Sequence, residues 1–452
     1  MAGTEWVWQH FPCNGRTGSD IFGRLGRDQP LAALLESPPG SSGRYSLCAA
    51  GSRWVTPSLA ELVPWMTHHL VPQPPAPKTP PHLPFVGGWW GWLAYEAVWA
   101  WERLPALAPD PLPFPVALWF QPDWCAIVDH HHEQLSLGAT DDKMLHLLIH
   151  KLDSPHPDFC PEPVPAVSVQ WQLSPQAYQQ RVQQVQKHIQ AGDIFQANLS
   201  VRFGVPTPLH PWQVYQNLTR LNPSPFACYW QTPWGHVVSC SPERLVLVQD
   251  NYIETRPIAG TRPRGSTPAA DQKLAQELRQ HPKERAEHIM LVDLERNDLG
   301  RVCQWGSVQV AELLTIETYS HVMHLVSRIT GTLRPESTMA DVLQAVFPGG
   351  TITGCPKVRC MEILHTLEPH PRNLFYGSCG YWSQHGRMDW NILIRTLLFP
   401  AGAGVAWGQV GAGIVSDSDP EREWWETLHK AQAQLLALGA NGYEQSSQFL
   451  VK

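Results

Sequence analysis

The sequence predicts an α+β fold built around a large antiparallel β-sheet. Strand-like apolar runs mix with amphipathic helical stretches, but the two do not alternate in the regular order that produces a parallel sheet. The 21 tryptophans and 43 prolines favour many packed strands joined by long ordered connections. A chain of 452 residues that is 43% hydrophobic is long enough for one large domain or two smaller ones.

The N-terminal part is expected to consist mainly of strands and turns. Residues 44–50 and 124–129 have the length and the apolar composition of strands. Residues 85–101 form the most membrane-like stretch of the chain, but glycines and Glu96 interrupt them. We therefore expect a buried strand and turn there, and no membrane span.

A proline-rich stretch, residues 154–167, is expected to connect two regions, residues 1–153 and residues 174–440. The second region opens with Ser174 and Pro175, which are typical of a helix N-cap and first turn. Further helices are expected at residues 283–298, at residues 356–364 and from Asp419 past Leu436, and strands at residues 192–203, 228–240, 321–330, 377–382, 388–397 and 408–415.

Composition excludes several classes of protein. The net charge of −7 is spread without a basic tract, which argues against nucleic acid and anionic membrane surfaces as partners. The ten cysteines are scattered without any C-x-x-C pair, so neither a structural zinc site nor a secreted disulfide framework is expected. The N-terminus lacks the features of a signal peptide, and we expect a cytoplasmic protein with reduced thiols.

Two helices carry acidic residues at a spacing that suits a metal. Glu284 and Glu287 are three residues apart and share one helix face, and Glu423 and Glu426 repeat this spacing near the C-terminus. Brought together, the two faces would offer the carboxylate oxygens that Mg²⁺ prefers. Solvated helix faces with ion pairs, such as Glu426 with Lys430, are the more common reason for such spacing, and the spacing alone does not exclude them.

Arginines and glycines could bind an anion. Arg256, Arg262 and Arg264 lie in a proline- and glycine-rich stretch expected to be a loop, and Arg395 follows far down the chain. Each could grip a carboxylate through paired hydrogen bonds. The glycine-rich residues 349–354 and 411–413 could add backbone N–H groups or simply form tight turns. Neither matches a nucleotide-binding loop.

Four motifs together resemble the chorismate-utilising enzymes, which include anthranilate, aminodeoxychorismate, isochorismate and salicylate synthases. They are R-P-I-A-G-T-R-P-R-G (256–265), H-V-M-H-L-V-S (321–327), F-P-G-G-T-I-T-G-C-P-K-V-R (347–359) and G-A-G-I-V-S-D-S (411–418). The likeness is dense from residue 179 to residue 430 and thinner towards the N-terminus. It implies a single large fold of two stacked antiparallel sheets with helices outside, in which both regions pack as one sandwich around the active site.

The resemblance also implies a set of site residues. Mg²⁺ would be held by Glu287 and Glu426, with Glu284 and Glu423 close by through water. Glu243 would be the general acid that protonates the departing C4 hydroxyl. Thr261 and His324 would complete the catalytic group, and the further substrate contacts would be Gln196, Gly260, Thr351, Tyr381, Arg395, Gly411, Gly413 and Lys430.

The resemblance also indicates which of the family's reactions to expect from this chain. Isochorismate and salicylate synthases carry a water-activating lysine at the position of Gln196, so this residue implies ammonia as the nucleophile. Asn198 and the N-P-S-P-F-A motif of residues 222–227 resemble aminodeoxychorismate synthases, which serve para-aminobenzoate and folate synthesis. Ala259 instead resembles anthranilate synthases, which are lyases of tryptophan synthesis. We expect the first activity, a transferase reaction, with the second as the alternative and a non-catalytic tryptophan- or chorismate-binding subunit as a third hypothesis.

Two binding partners follow from the resemblance. The chain offers no convincing Cys-His-Glu set for releasing ammonia from glutamine, so a separate glutamine amidotransferase subunit is expected. Leu35, Glu36 and Ser37, with Pro223 and Phe226, resemble the family's tryptophan pocket. The sequence therefore predicts chorismate, an amidotransferase subunit and tryptophan as partners, with Mg²⁺ as cofactor.

Overall fold

The computed structural model describes residues 6–40, 43–74, 79–154, 167–319 and 322–440. The strands, in chain order, are β1 (Val7–Pro12), β2 (Ala32–Glu36), β3 (Tyr45–Ala50), β4 (Arg53–Val55), β5 (Gly88–Leu93), β6 (Ala117–Gln121), β7 (Trp124–Asp129), β8 (Gln134–Ala139), β9 (Gln170–Trp171), β10 (Gln196–Pro206) and β11 (Phe226–Thr232). They continue with β12 (Gly235–Ser241), β13 (Arg244–Gln249), β14 (Tyr252–Thr255), β15 (Ile258–Pro263), β16 (Gln309–Thr318), β17 (Val322–Thr332), β18 (Gly354–Cys355), β19 (Ser378–Ser383), β20 (Arg387–Ile392), β21 (Thr396–Pro400) and β22 (Val405–Ile414).

The helices are α1 (Gly18–Leu25), α2 (Leu59–His69), α3 (Asp142–Asp153), α4 (Pro175–Gln190), α5 (Pro211–Leu221), α6 (Pro268–Gln280), α7 (Pro282–Gly300), α8 (Met339–Val346), α9 (Lys357–Leu367) and α10 (Pro420–Ala437). Short 3₁₀ helices occupy Tyr95–Ala100 and Gly350–Ile352. Within the described part of the chain, no helix has both the length and the apolar character needed to cross a membrane.

The strands form two antiparallel sheets. One sheet has the order β1-β8-β7-β3-β2-β11-β12-β21-β22-β10-β18, with β9 beside β10, and the other has the order β15-β17-β14-β13-β20-β19-β5-β6-β4, with β16 beside β17. Both sheets contain strands from before and after residue 154. The predicted α+β fold with two stacked antiparallel sheets is confirmed.

Large aromatic side chains fill the space between the sheets. Trp92 lies 5.4 Å from Trp230 across the interface, measured between ring centroids, and Trp90, Trp119 and Trp390 are fully buried in the same core. A second core lies between the first sheet and the outer helices α1, α4, α5 and α10. The high tryptophan content therefore supplies rigid packing area in the core.

Local sequence signals explain where the key helices begin. Ser174 caps α4 by accepting a hydrogen bond from the Ala177 amide, with Pro175 at its first position. Asp419 caps α10 in the same way before Pro420. His281 accepts the first-turn amide of Glu284 in α7, and Pro282 follows. These caps fix the starts of α7 and α10, and the predicted metal ligands lie within the first two turns of these helices.

Two expectations about local structure are wrong. The stretch expected to be an arginine-bearing loop is largely an edge strand, β15, which pairs with β17 through a bulge at Gly260 and tolerates its terminal Pro263 because it is at an edge. Residues 388–397, expected as one strand, divide into β20 in one sheet and β21 in the other. The chain crosses between the sheets here, with Arg395 in the left-handed conformation at φ 53°.

Candidate active site

Two cavities lie near the predicted site residues. The larger, of about 490 Å³, is lined by residues of β2, β3, β11, β13, β19 and β20. The smaller, of about 40 Å³, is lined by residues 222–225 together with Thr261, His324 and Arg395. Pro225 borders both cavities. The loop before β11 therefore lies between the two cavities.

Four glutamates from α7 and α10 lie close together; Glu284, Glu287, Glu423 and Glu426 are called the acidic cluster below. Glu284 contacts Arg262, the neighbour of Thr261 in β15. The two helices are joined by Lys283, whose Nζ lies 3.9 Å from Glu287 Oε1 and 3.9 Å from Glu423 Oε1. The structure thus brings together the two pairs that the sequence placed far apart.

Within the acidic cluster, the charged form of Glu287 is disfavoured by burial and by its acidic neighbours. The pKa of this carboxyl is raised to about 7, first by burial and then by Glu284, Glu426 and Glu423, against the lowering effect of Lys283. Glu287 Oε1 is buried and has no hydrogen-bond partner among the described residues. Burial raises the pKa of Glu423, whereas Lys430 lowers that of Glu426.

This donor set fits Mg²⁺, although its side chains are not arranged around one point. Among the described residues, no group of three or more histidine, cysteine or acidic side chains is positioned to hold a metal ion. Mg²⁺ nevertheless binds through one or two carboxylates and keeps several waters, so it needs no closed protein cage. The unsatisfied oxygen of Glu287 is the kind of ligand such an ion would take.

Arg395 differs from the other three predicted arginines in its ion pairing. Arg256 pairs with Glu317, Arg262 lies 3.0 Å from Glu284, and Arg264 lies 2.7 Å from Asp271. Arg395 forms no ion pair with any described residue, and burial lowers its pKa. A half-buried guanidinium group without a carboxylate partner is available to bind an anion.

The tyrosine beside Arg395 is Tyr376, which the sequence reasoning missed. Its pKa is raised by burial and lowered by Arg372 and Arg395, and its ring lies 4.7 Å from the Arg372 guanidinium. Tyr381, expected at that place, packs 5.9 Å from Phe85 and lines the larger cavity. Strand parity explains this, since Tyr381 shares a face of β19 with the buried Cys379, which lines the same cavity.

Glu243 is a buried acid. It is 3% exposed, and burial raises its pKa to about 8 against the lowering effects of the Thr351 hydroxyl and the Ile258 amide. The Ile258 N–H donates to Glu243 Oε1 at 3.4 Å. Glu243 is therefore protonated at neutral pH and can act as a proton donor.

Thr261 and His324 form a neutral polar pair between β15 and β17. Thr261 Oγ1 lies 2.9 Å from His324 Nδ1. The pKa of His324 is lowered to about 4, mainly by burial and also by the nearby Arg395. His324 is therefore uncharged at neutral pH and faces the same small cavity as Arg395.

Two side chains donate hydrogen bonds to backbone carbonyls of segments that carry predicted site residues. Asn198 Nδ2 donates to the Thr351 carbonyl at 3.3 Å, and Lys430 Nζ donates to the Gly411 carbonyl at 3.0 Å. Lys430 also lies 2.8 Å from Glu426. The strand β22 that carries Gly411 is thereby tied to the acidic cluster.

Two predicted glycines lie directly against polar side chains of the site. Gly260 has φ 73°, and a Cβ there would lie 2.5 Å from Glu284 Oε2. A Cβ at Gly413 would lie 2.4 Å from Gln196 Nε2. Side chains at either position would displace an acidic-cluster residue or the Gln196 amide.

The expected tryptophan-pocket residues are divided between the cavities. Leu35, Glu36, Ser37 and Phe226 line the larger cavity, whereas Pro223 lines the smaller one. Glu36 is fully satisfied there, because it accepts hydrogen bonds from the Ser19 amide and hydroxyl and from the Tyr215 hydroxyl. The Phe226 ring lies 4.8 Å from the Arg244 guanidinium.

The described residues include an arginine without an ion pair, a buried acid with a raised pKa and a cluster of carboxylates. Such groups suit an enzyme that acts on a small anion. The particular family is given by the sequence: residues 48–436 match the chorismate binding enzyme family, and the chain belongs to this family.

Relatives within the family bear two different names. The chain is 52% identical to an anthranilate synthase component I-like protein of Synechocystis sp., over 96% of this chain and 92% of the relative. It is 42% identical to aminodeoxychorismate synthase component 1 of Bacillus subtilis, over 78% of this chain and 77% of the relative. The crystal structure of anthranilate synthase component I from Streptococcus pneumoniae is similar at a TM-score of 0.78 and 29% identity, covering 87% of this chain and 93% of that one.

Proposed function

We propose that the chain is the chorismate-aminating component of a two-component enzyme and makes 4-amino-4-deoxychorismate from chorismate and ammonia. The observation that carries this proposal is Gln196, a buried amide at the start of β10 against Gly413. An amide is not basic and cannot take a proton from water, whereas ammonia needs no such activation. Family members that add water carry a lysine at this position, so Gln196 supports ammonia as the nucleophile.

The two carboxylates of chorismate are each assigned one cation. Arg395 would bind the enolpyruvyl carboxylate, since no described carboxylate pairs with its guanidinium. Glu287 and Glu426 would hold Mg²⁺, which would supply a charge that fixes the ring carboxylate. Tyr376 lies beside Arg395 and would add a hydrogen-bonding hydroxyl at the same end of the substrate.

Proton transfer is assigned to Glu243. Its carboxyl proton would pass to the C4 hydroxyl as the C4–O bond breaks, so that water leaves. Ammonia forms the new C–N bond and gives up one proton, which restores Glu243. Thr261 and His324 would line the site as neutral polar groups that add no competing charge.

Two motifs favour aminodeoxychorismate over anthranilate as the product. Asn198 links β10 to the loop next to Glu243 through the Thr351 carbonyl, and Phe226 lies 4.8 Å from the Arg244 guanidinium. Both residues stand in segments that resemble aminodeoxychorismate synthases. Anthranilate is the second candidate, because Ala259 has no nucleophilic group and the relatives include anthranilate synthases by name.

A separate glutamine amidotransferase subunit would supply the ammonia, in keeping with the component names of the relatives. The larger cavity would bind tryptophan between residues of β2 and β11, including Leu35 and Phe226. Pro223 would contribute to the loop that separates this cavity from the substrate, because it lines the smaller cavity.

Product identification tests the proposal. The purified chain is incubated with chorismate, Mg²⁺ and ammonium at a pH that supplies free ammonia, and the products are separated and identified by mass. We expect 4-amino-4-deoxychorismate, which retains the enolpyruvyl group. Fluorescent anthranilate together with pyruvate, formed without an added lyase, would establish the second candidate, and recovery of unchanged chorismate would support a non-catalytic subunit.

A further inference from the structure

One lysine beside the acidic cluster has no role in the proposed chemistry. Lys283 lies in the first turn of α7, next to Glu284. Its Nζ is 3.9 Å from an oxygen of Glu287 on the same helix and 3.9 Å from an oxygen of Glu423 on α10. One ammonium group therefore lies between carboxylates of two helices.

The other cations of the cluster are held differently. Arg262 donates a hydrogen bond to Glu284 at 3.0 Å, and Lys430 lies 2.8 Å from Glu426 while also donating to the Gly411 carbonyl. At 3.9 Å, Lys283 is too far from either of its carboxylates for a hydrogen bond. Four carboxylates thus face three cationic side chains, of which Lys283 is the least firmly bound.

The oxygen that Lys283 faces on Glu287 is poorly satisfied. It is buried and accepts no hydrogen bond from any described residue, so its only compensation is the distant ammonium group. The Lys283 side chain is 36% exposed, and its flexible four-carbon stem gives the ammonium a path to solvent. A stronger cation at this place would displace it at little cost.

We propose that Lys283 is an internal counter-cation, which neutralises Glu287 and Glu423 while no divalent metal is bound and withdraws to solvent when one binds. The inference rests on the proposed function, since it takes Glu287 and Glu426 as the metal ligands. Metal binding is then an exchange of one cation for another. Lys283 weakens the affinity of the substrate-free protein for the metal and prevents the four carboxylates from repelling one another.

Lys283→Met tests the exchange, because methionine removes the charge and keeps an unbranched stem. Mn²⁺ binding to the substrate-free protein is measured by electron paramagnetic resonance, so the readout does not depend on turnover. We expect the dissociation constant for Mn²⁺ to fall about two- to tenfold, the scale of two partly exposed ion pairs. In EDTA the variant should unfold at a lower temperature than the wild type, and added Mg²⁺ should remove this difference.

Two further variants serve as controls. Lys283→Arg retains the charge and should bind Mn²⁺ like the wild type. Lys273→Met removes an exposed lysine from α6 and should change neither Mn²⁺ binding nor the unfolding temperature. If Lys283→Met fails to fold, Lys283→Gln is measured in the same way.

The outcomes separate this inference from the proposed function. A wild-type protein that binds Mn²⁺ and a Lys283→Met variant that binds it equally or more weakly would overturn the role of Lys283 alone. A wild-type protein that binds no Mn²⁺, and a Glu287→Gln variant that retains Mg²⁺-dependent turnover, would overturn the metal site itself.

Discussion

The two cavities differ in whether their charged side chains are paired. In the larger cavity, Arg244 pairs with Asp389 and Glu254, and Arg44 pairs with Asp129. In the smaller cavity and the adjoining acidic cluster, Arg395 has no carboxylate partner among the described residues, and an oxygen of Glu287 is buried without a hydrogen bond. The charged groups of the first region are paired, whereas the second leaves charged groups unpaired, as the proposed binding of a substrate and a metal requires.

The largest expected effect comes from Glu287. Glu287→Gln keeps the shape of the side chain and removes the charge that would hold Mg²⁺, and we expect kcat/KM for chorismate to fall by more than about 10³-fold. The rate is measured against Mg²⁺ concentration. Glu421→Gln, an exposed neighbour on α10 outside the cluster, provides the control and should be close to wild type. Near-normal turnover of Glu287→Gln would remove this residue from the metal site.

The next largest effect is expected from the substitution of Arg395. Arg395→Gln should raise KM for chorismate about 10²-fold, because a buried charge-assisted pair with a substrate carboxylate is lost. Arg264→Gln removes an arginine that is already paired with Asp271, and its KM should change less than about threefold. If the two variants behave alike, the contrast between paired and unpaired arginines has no functional meaning.

The two tyrosines separate the cavities directly. Tyr376→Phe should raise KM for chorismate about five- to tenfold through loss of one hydrogen-bonding hydroxyl beside Arg395. Tyr381→Phe alters the larger cavity and should leave KM within about twofold of the wild type. KM of both variants is measured by initial-rate kinetics at saturating ammonium. A larger rise in KM for Tyr381→Phe than for Tyr376→Phe would support Tyr381 as the substrate contact.

The smallest expected effect is on stability. The pKa of Glu243 is raised from 4.5 to about 8 in the folded protein, so the folded state binds more protons than the unfolded state between these values. Burial of this group therefore lowers stability progressively as pH rises from about 4.5 to about 8. Glu243→Gln removes this cost and should unfold about 1–3 °C higher than wild type at pH 8.5, with no gain at pH 4.5.

The same variant links stability to chemistry. Glu243→Gln should lose about 10²- to 10⁴-fold in kcat, because the general acid is absent. The wild-type rate should fall as pH rises above about 8, where Glu243 loses its proton. A variant that is inactive but no more stable at pH 8.5 would show that the raised pKa does not belong to Glu243.

The sequence indicated which acidic residues share a helix face, but not how distant helices come together. The i,i+3 spacing of Glu284 and Glu287 already placed both carboxylates on one helix face, and Asp419 and Pro420 marked the start of the helix that carries the other pair. Whether two such faces meet depends on long-range packing, which spacing along one chain does not encode. Lys283, which joins the two helices, was missed for the same reason.

Two other features could not be predicted, because the observed and the expected conformations have the same local sequence pattern. Residues 388–397 are apolar enough for one strand, and the crossing between sheets at Arg395 leaves no compositional signal because β20 and β21 are both buried. Tyr376 lies just before β19 in a left-handed conformation, with φ 65°, which a tyrosine rarely adopts. The resemblance to a family directed attention to Tyr381 instead.

Isotope labelling of the product tests most directly the claim that the candidate site delivers ammonia to chorismate beside Gln196. The protein is incubated with chorismate, Mg²⁺ and ¹⁵N-ammonium in ¹⁸O-water, and the product is analysed by mass spectrometry. We predict one ¹⁵N atom and no ¹⁸O in the ring of the product. An isomer of chorismate that carries ¹⁸O and no ¹⁵N would contradict this account, since water would then be the nucleophile.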